Sequence, residues 1–374
     1  MNRETPPAND EFEISVIGPG RGECIVLHLG DNVWCIVDSC VSRGQSESVA
    51  IEYLDGFKNG ALDGVKLVVA THWHDDHVRG LTSILKRVPK AEFYYSAALR
   101  VPQFIQLVRT YQVADPAGSG TKEFGTILQE LEKQQNPNAQ NRINPPKQAV
   151  ENRRLLSLQG NGRSFPAAVT ALSPSDATHA LATLEFARLL PKPGQSQRRI
   201  TGFEQNHTSV VLLVEAGPVT ALLGADLLHT LAQNEGWNAV LACHANHHNQ
   251  KRASFFKVPH HGSENADCPE VWTRLLTNNS IAVVTPFVAG VRLPKSSDLK
   301  RIGARTDELY CTTSGTGTPP KRDSVVERFM RQQITGRRLL EGLPGHVRVR
   351  WPSGQTMPNV VERFNGAFKV NPTL

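Results

Sequence analysis

The sequence predicts a layered α/β fold, in which short β-strands alternate with helices along most of the chain. It begins with three short β-rich runs separated by glycine-containing turns, a pattern typical of an antiparallel meander. Further along, Val65–Ala70 is a continuous apolar run rich in β-branched residues, which favours a strand buried on both faces. Hydrophobic residues make up 39% of the 374 residues, enough for a packed core in a single enlarged domain spanning residues 1–374.

The remaining elements follow from the same periodicities. Strands are predicted at Ile14–Ile17, Cys24–Leu29, Val33–Val37, Glu92–Ser96, Phe165–Ser173, Ser209–Glu215, Val219–Gly224, Ser254–Val258 and Ile281–Thr285. Helices are predicted at Ser46–Lys58, Gly80–Val88, Ala97–Tyr111, Phe124–Gln134, His179–Leu190, His229–Ala245 and Ser324–Gln333. The polar segment Ala114–Ser164 is interpreted as an insertion or a lid over the site. Residues 325–374 are interpreted as a C-terminal extension of the same domain, with a hairpin formed by Val347–Trp351 and Val360–Phe364.

Charge, apolar runs and cysteine content indicate the class of substrate and the location of the protein. The net charge of +6 and the isoelectric point near 9.0 favour an anionic substrate, with an ordinary solubilising charge as the alternative. No apolar run approaches membrane length, and the polar N-terminus does not have the pattern of a signal peptide. We therefore expect a cytoplasmic protein without a membrane partner. The six cysteines form no C-x-x-C pair and are expected to be reduced core residues.

A cluster of histidines follows the predicted buried strand Val65–Ala70. The run THWHDDH places three imidazoles and a carboxylate, from His72, His74, Asp76 and His77, within six residues. Loops at strand ends commonly collect functional groups, and imidazole together with carboxylate suits Zn²⁺ or a similar divalent ion. A solvated surface tract is the alternative, but such a tract would not sit between a buried strand and a helix.

This run resembles the H-x-H-x-D-H signature of the metallo-β-lactamase superfamily. The resemblance implies a four-layer αββα sandwich that holds two metal ions. It further implies that His72 and His74 bind metal one, whereas Asp76 and His77 bind metal two.

Three later motifs resemble the remaining ligand motifs of that superfamily. The run NHTS makes His207 the third ligand of metal one, and the run GAD makes Asp226 the carboxylate that bridges both ions. The run PHHGS supplies a histidine to metal two. The sequence does not decide between His260 and His261; we favour His260, with His261 behind it or near the substrate.

Two further features resemble one branch of the superfamily, the β-lactamase-like domain of bacterial DNA-uptake competence proteins. They are the run GRGEC together with Asp38, and the whole quartet His260–Ser263. The chain departs from that pattern at Cys40, where the branch prefers glycine, and at Arg79, where the family usually has the first glycine of a Gly-Gly pair.

These features predict a metal-dependent hydrolase. The resemblance implies a hydroxide held between two divalent ions as the nucleophile, with Asp76 orienting it and accepting its proton. Zn²⁺ is the expected metal, with Mn²⁺ or Fe²⁺ as alternatives. The leading substrate is a phosphodiester in a nucleic acid or a nucleotide; the alternatives are a lactone, lactam or thioester, or a non-catalytic metal-binding protein. Arg79 and Ser263 are expected to contact the anionic substrate, unless Arg79 faces solvent and pairs with Asp75.

Overall fold

The computed structural model describes residues 3–42, 45–111, 120–133, 143–190, 205–247, 250–288, 292–314 and 344–371. Its strands are β1 (Glu11–Gly18), β2 (Cys24–Leu29), β3 (Trp34–Val37), β4 (Val65–Ala70), β5 (Glu92–Ser96), β6 (Lys147–Ala149), β7 (Arg153–Leu158), β8 (Ala167–Ala171), β9 (Leu212–Ala216), β10 (Val219–Leu223), β11 (Ala253–Lys257), β12 (Leu276–Val284), β13 (Leu309–Cys311), β14 (Gly345–Pro352), β15 (Val360–Phe364) and β16 (Phe368–Lys369).

The α-helices among these residues are α1 (Val49–Gly56), α2 (Asp75–Val78), α3 (Leu81–Arg87), α4 (Pro102–Tyr111), α5 (Thr121–Lys133), α6 (Asp176–Leu189), α7 (Gly236–Ala245), α8 (Pro269–Arg274) and α9 (Ser296–Gly303). The predicted helix Ser324–Gln333 lies outside the described residues. None of the helices described is both long and apolar enough to span a bilayer.

The strands form two eight-stranded sheets. One sheet has the order β15-β14-β1-β2-β3-β4-β5-β6, and the other has the order β16-β13-β12-β11-β10-β9-β8-β7. Each sheet contains four neighbouring parallel strands: β3 to β6 at one end of the first sheet, and β10 to β13 within the second. Because parallel strands end at the same edge, the loops that follow them collect at one edge of each sheet.

Successive side chains along each strand point to opposite faces of its sheet, and so they pack into different hydrophobic cores. In β4, Leu67 and Val69 face the core between the two sheets, whereas Val68 and Ala70 pack under the helices on the outer face. In β10, Ala221 and Leu223 face the same inter-sheet core, and Leu222 faces the helices that cover the second sheet. Three cores therefore separate four layers, and the predicted α/β sandwich is confirmed.

The segment Ala114–Ser164, interpreted from sequence as an insertion or lid, contributes one helix and two strands among its described residues. Its helix α5 packs beside α4, and its two strands complete the ends of the sheets, β6 beside β5 and β7 beside β8. The role of this segment as a lid stays a prediction. At the other end of the chain, β14 and β15 form the predicted antiparallel hairpin, and β14 also pairs with β1.

The six cysteines behave as their spacing predicted. All six are buried and free of disulfide bonds. Burial raises the pKa of the Cys35 and Cys40 thiols, so these side chains act as small apolar core residues.

Candidate metal centre

The predicted ligand residues lie at the edges where the parallel strands end. The strand β4 runs directly into Thr71 and His72, and the short helix α2, preceded by His74, presents Asp76 and His77 one turn later. From the second sheet, Asp226 follows β10 and the histidines of the PHHGS run follow β11. Ligands from both sheets therefore face one another across the top of the inter-sheet core.

Four side chains converge at one point. Ligand atoms of Asp76, His77, Asp226 and His261 all lie within 4.8 Å of one another. The Nε2 atom of His261 lies 3.1 Å from Oδ2 of Asp76 and 3.6 Å from Oδ2 of Asp226. The Nε2 atom of His77 lies 3.4 Å from Oδ1 of Asp226. These are the residues that the resemblance assigns to metal two, with His261 as the histidine from the PHHGS run.

The unsatisfied atoms of this cluster fit a divalent cation. The Nε2 atoms of His72 and His77 and the Oδ1 atom of Asp226 are buried and make no hydrogen bond. Buried polar atoms are normally hydrogen-bonded. Three neighbouring buried atoms without a hydrogen bond therefore indicate a site for a partner that accepts lone pairs, such as a metal ion. Imidazole nitrogens with carboxylate oxygens are a donor set that Zn²⁺ and related ions prefer.

The electrostatics of the cluster agree with this fit. Burial opposes protonation of His77, but the surrounding carboxylates outweigh burial and hold its pKa well above the usual value. The pKa of His261 is raised in the same way, chiefly by Asp226 against the effect of burial. Burial also opposes ionisation of Asp76 and Asp226, yet the facing histidines hold the pKa of both carboxyls well below the usual range. The carboxylates thus hold positive charge at this point, which a bound metal ion would supply.

A buried carboxylate orients one of the imidazoles. Asp38 follows β3 and lies behind His77, whose Nδ1 atom donates to Oδ2 of Asp38 over 2.7 Å. The same carboxylate accepts from the Thr71 backbone N–H and from the Thr71 hydroxyl, each at 2.7 Å. Asp38, His72 and His77 form a second group with ligand atoms within 4.8 Å of one another. Since the Asp38 oxygens already accept three hydrogen bonds, we interpret this group as support for the site and not as a separate one.

The metal-one side is less tightly assembled. The rings of His72 and His74 lie 4.8 Å apart between centroids, and Nε2 of His72 lies 3.9 Å from Oδ2 of Asp226. Burial lowers the pKa of both histidines, which keeps them neutral as metal ligands must be. The Nε2 atom of His207 lies 3.1 Å from Oε2 of Glu185, a residue of α6 that sequence reasoning did not identify. Neither His74 nor His207 joins the two ligand groups found among the described residues.

The structure distinguishes the two adjacent histidines of the PHHGS run. His261 faces Asp76 and Asp226, and its Nδ1 atom donates to the Thr285 carbonyl over 2.7 Å. His260 instead contacts Asn206 through Nε2, at 3.0 Å, and Asn265 through Nδ1, at 2.8 Å. The geometry therefore favours His261 over His260, the histidine preferred from sequence.

Neither of the two predicted substrate contacts, Arg79 and Ser263, is a member of the ligand cluster. Arg79 forms an ion pair with Asp75 four residues earlier, and its side chain is 57% exposed, which is the alternative arrangement considered from the sequence. Ser263 follows the histidine loop and lines a small cavity with Trp237, Trp272 and Arg301. At the other departure from the family pattern, Cys40 is buried next to Gly22, whose close approach to the Asp76 carbonyl leaves no room for a side chain.

One comparison with known proteins covers the first part of the site. The family model described as the metallo-beta-lactamase superfamily matches residues 17–131, a range that includes His72, His74, Asp76 and His77. Over these residues the chain is therefore similar to the metallo-beta-lactamase superfamily, and the structure adds a set of candidate metal ligands. No match was found among the curated proteins. The finer resemblance to competence proteins stays a prediction.

Solved structures show distant similarity. One is the metallo-beta-lactamase fold protein YhfI from Bacillus subtilis, at 14% sequence identity and a TM-score of 0.31, with 66% of this chain and 71% of that chain covered. Another is Zn²⁺-bound PqqB from Methylobacterium extorquens, at 10% identity and a TM-score of 0.27, with 65% of this chain and 69% of that chain covered.

Proposed function

We propose that the protein is a metal-dependent hydrolase that uses two divalent ions, and that its substrate is a phosphodiester. The observation that carries the proposal is the convergence of Asp76, His77, Asp226 and His261 on one point, with unsatisfied buried atoms from His72, His77 and Asp226. We assign His72, His74 and His207 to metal one, Asp76, His77 and His261 to metal two, and Asp226 to both.

When bound, the two ions would activate a water molecule and polarise the bond to be cleaved. The protein's own groups do the rest. Among the four converging side chains Asp76 is the most exposed, at 18%, whereas the other three are 0 to 3% exposed. Its carboxylate is therefore the group of this set that a water molecule and a substrate can reach, and its low pKa keeps it ionised, so that it can orient a water molecule by accepting a hydrogen bond from it.

The choice of a phosphodiester rests on charge. The net charge of +6 attracts anions, and a phosphodiester brings an anionic group that the two cations would neutralise. Carbonyl hydrolysis of a lactone, lactam or thioester uses the same centre, and a neutral substrate of that kind gains nothing from the positive charge. This is the reason to rank it second.

The test combines metal content with turnover. We expect elemental analysis of the purified protein to find close to two divalent ions per chain. Chelator-treated protein should lose hydrolysis of bis-p-nitrophenyl phosphate and regain it on addition of Zn²⁺ or Mn²⁺. The Asp76→Asn variant should stay inactive, whereas Asp55→Asn, which changes an exposed carboxylate on α1, should retain activity.

Each failure has a separate meaning. A protein that takes up no metal would overturn the whole proposal. Preference for a lactone over the phosphodiester would replace the substrate class and keep the metal centre. Two bound ions without turnover of either substrate would indicate a non-catalytic metal-binding protein.

A further inference from the structure

A buried ion pair lies directly beneath the candidate metal centre. Lys257 is the last residue of β11, and Glu23 immediately precedes β2, so the two side chains reach one another from opposite sheets. The Lys257 ammonium contacts Oε2 of Glu23, and both side chains are 0% exposed. Nothing in the assignment of ligands uses either residue.

The lysine holds the backbone next to one ligand. Its ammonium donates to the carbonyl of Ala225 over 3.2 Å, one residue before Asp226. The Gly224 N–H in turn donates to the Lys257 carbonyl over 3.1 Å. Ala225 has a positive φ of 46°, an uncommon conformation for a residue with a side chain, so this turn needs outside support. Lys257 supplies it at the point where the chain presents Asp226.

The glutamate reaches two further ligands. Its backbone N–H donates to the Asp76 carbonyl over 3.0 Å. Its Oε2 atom accepts from the hydroxyl of Thr285 over 2.6 Å, and the carbonyl of Thr285 accepts from Nδ1 of His261. Glu23 is thus one hydrogen bond from Asp76 and two from His261.

The placement of this pair is unusual on energetic grounds. Removing two charges from water costs free energy that their mutual attraction often does not recover, and apolar residues of similar size would stabilise such a position equally well. The pair also stands among the carboxylates of Asp38, Asp76 and Asp226, where an additional acid is unfavourable unless it is neutralised. A role in stability alone does not account for a glutamate at this position.

We propose that the side chains of Glu23 and Lys257 form a positioning pair that fixes Asp226 and His261 in the geometry required to bind metal two. This inference rests on the proposed two-metal function. It assigns to both residues a larger effect on metal two, which has both of these ligands, than on metal one, which shares only Asp226.

Single substitutions do not isolate this role, because each would leave a buried charge without its partner and destabilise the fold. The test therefore uses the double variant Glu23→Leu/Lys257→Met, which removes both charges and keeps similar volumes. The double variant Arg348→Met/Glu362→Leu is the matched control, since it removes another buried ion pair, between β14 and β15, at 0% and 8% exposure. Far-UV circular dichroism and thermal unfolding establish that both variants fold.

The measurement is a competition titration of chelator-treated protein with Zn²⁺ against a chromophoric chelator, which yields two stepwise dissociation constants. The His261→Ala variant identifies which constant belongs to metal two. We expect the Glu23→Leu/Lys257→Met variant to bind metal two about 10- to 100-fold more weakly, the range typical of residues that orient metal ligands, and to bind metal one more weakly by a smaller factor. The control variant should keep both constants.

Four outcomes would contradict the inference. Equal weakening of both ions, or equal weakening in the control variant, would show a general structural role. A folded Glu23→Leu/Lys257→Met variant with the metal-two constant of the unmodified protein would overturn the positioning role and leave the proposed function intact. An unmodified protein that binds fewer than two ions would overturn the proposed function, and this inference with it.

Discussion

The imidazole of His77 donates through Nδ1 to the carboxylate of Asp38 over 2.7 Å, and this hydrogen bond turns Nε2 towards Asp226, where it is available to a metal ion. Asp38 has a positive φ of 60°, a conformation that aspartate, asparagine and glycine adopt more readily than other residues. This backbone conformation at the end of β3 places the Asp38 carboxylate behind His77, a candidate metal ligand.

Replacing Asp38 with asparagine should weaken the binding of metal two about 10- to 100-fold. The substitution tolerates the positive φ, but an amide cannot accept from the Thr71 backbone, the Thr71 hydroxyl and His77 at once. Zn²⁺ titration against a chromophoric chelator measures the effect, and circular dichroism checks that the fold is kept. Unchanged metal affinity in a folded Asp38→Asn protein would show that this hydrogen bond does not orient the ligand.

Alanine at Asp76 or at His77 should reduce kcat for bis-p-nitrophenyl phosphate by at least about 100-fold while leaving the fold intact. Both side chains belong to the metal cluster, and neither is part of the hydrophobic cores. Steady-state kinetics and circular dichroism of the two variants check this expectation. The mechanism is wrong if Asp76→Ala retains full activity with a normal spectrum.

Arg79 and Asp75 allow a paired test of substrate binding. If the guanidinium can bind an anionic substrate, Asp75→Asn releases it from its ion pair and should lower KM for bis-p-nitrophenyl phosphate, whereas Arg79→Gly should raise it. Each change is expected to be about three- to tenfold, the value of one hydrogen bond. Because the pair is exposed, stability should change by less than about 1 kcal/mol.

A neutral lactone is the control substrate for this pair of variants, and its KM should not change in either. Parallel changes on both substrates, or no change on either, would exclude an anion-binding role and leave the Arg79–Asp75 contact as surface charge.

His28 should make the free energy of unfolding depend on pH. Burial lowers the pKa of His28 from 6.5 to about 4, although its Nδ1 atom donates to the Glu11 carbonyl. Below pH 6.5 the unfolded chain therefore binds a proton that the folded protein excludes, so stability falls as the pH falls towards 4. The loss between pH 7 and pH 5 is about 2 kcal/mol for this residue.

Urea unfolding of the protein and of a His28→Gln variant, at pH 7 and at pH 5, measures this contribution, since glutamine cannot titrate. The variant should lose about 2 kcal/mol less than the unmodified protein over that interval. Equal losses in the two proteins would mean that His28 titrates normally in the folded state.

The fold class, and most of the residues that converge in the candidate site, could be predicted from the sequence because their signals are local. The run from Val65 to His77 joins a buried strand to a dense ligand cluster, and the apolar runs that became β9 and β10 are long enough to identify as strands. Very short strands give no such signal. Three-residue segments such as β6 and β13 pair because neighbouring strands offer them an edge, and no periodicity can reveal that.

The choice between His260 and His261 depends on backbone conformation. Both residues have positive φ, 46° and 53°, so the direction of each side chain departs from what an extended strand end would give. The Glu23–Lys257 pair escaped prediction for a different reason. Its two residues lie far apart in the chain, and only the packing of the two sheets brings them into contact.

The ligands of the candidate centre come from both sheets. The geometry of the site therefore depends on the distance between the two sheets. His72, Asp76 and His77 move with the first sheet, whereas Asp226 and His261 move with the second. Metal ligation tolerates deviations of only about 0.2 Å, so the apolar side chains that set the spacing of the sheets, such as Val69 and Leu223, also set the spacing of the ligands. A substitution that slightly changes the volume of a side chain in that core, remote from any ligand, would therefore alter metal affinity before it caused loss of the fold.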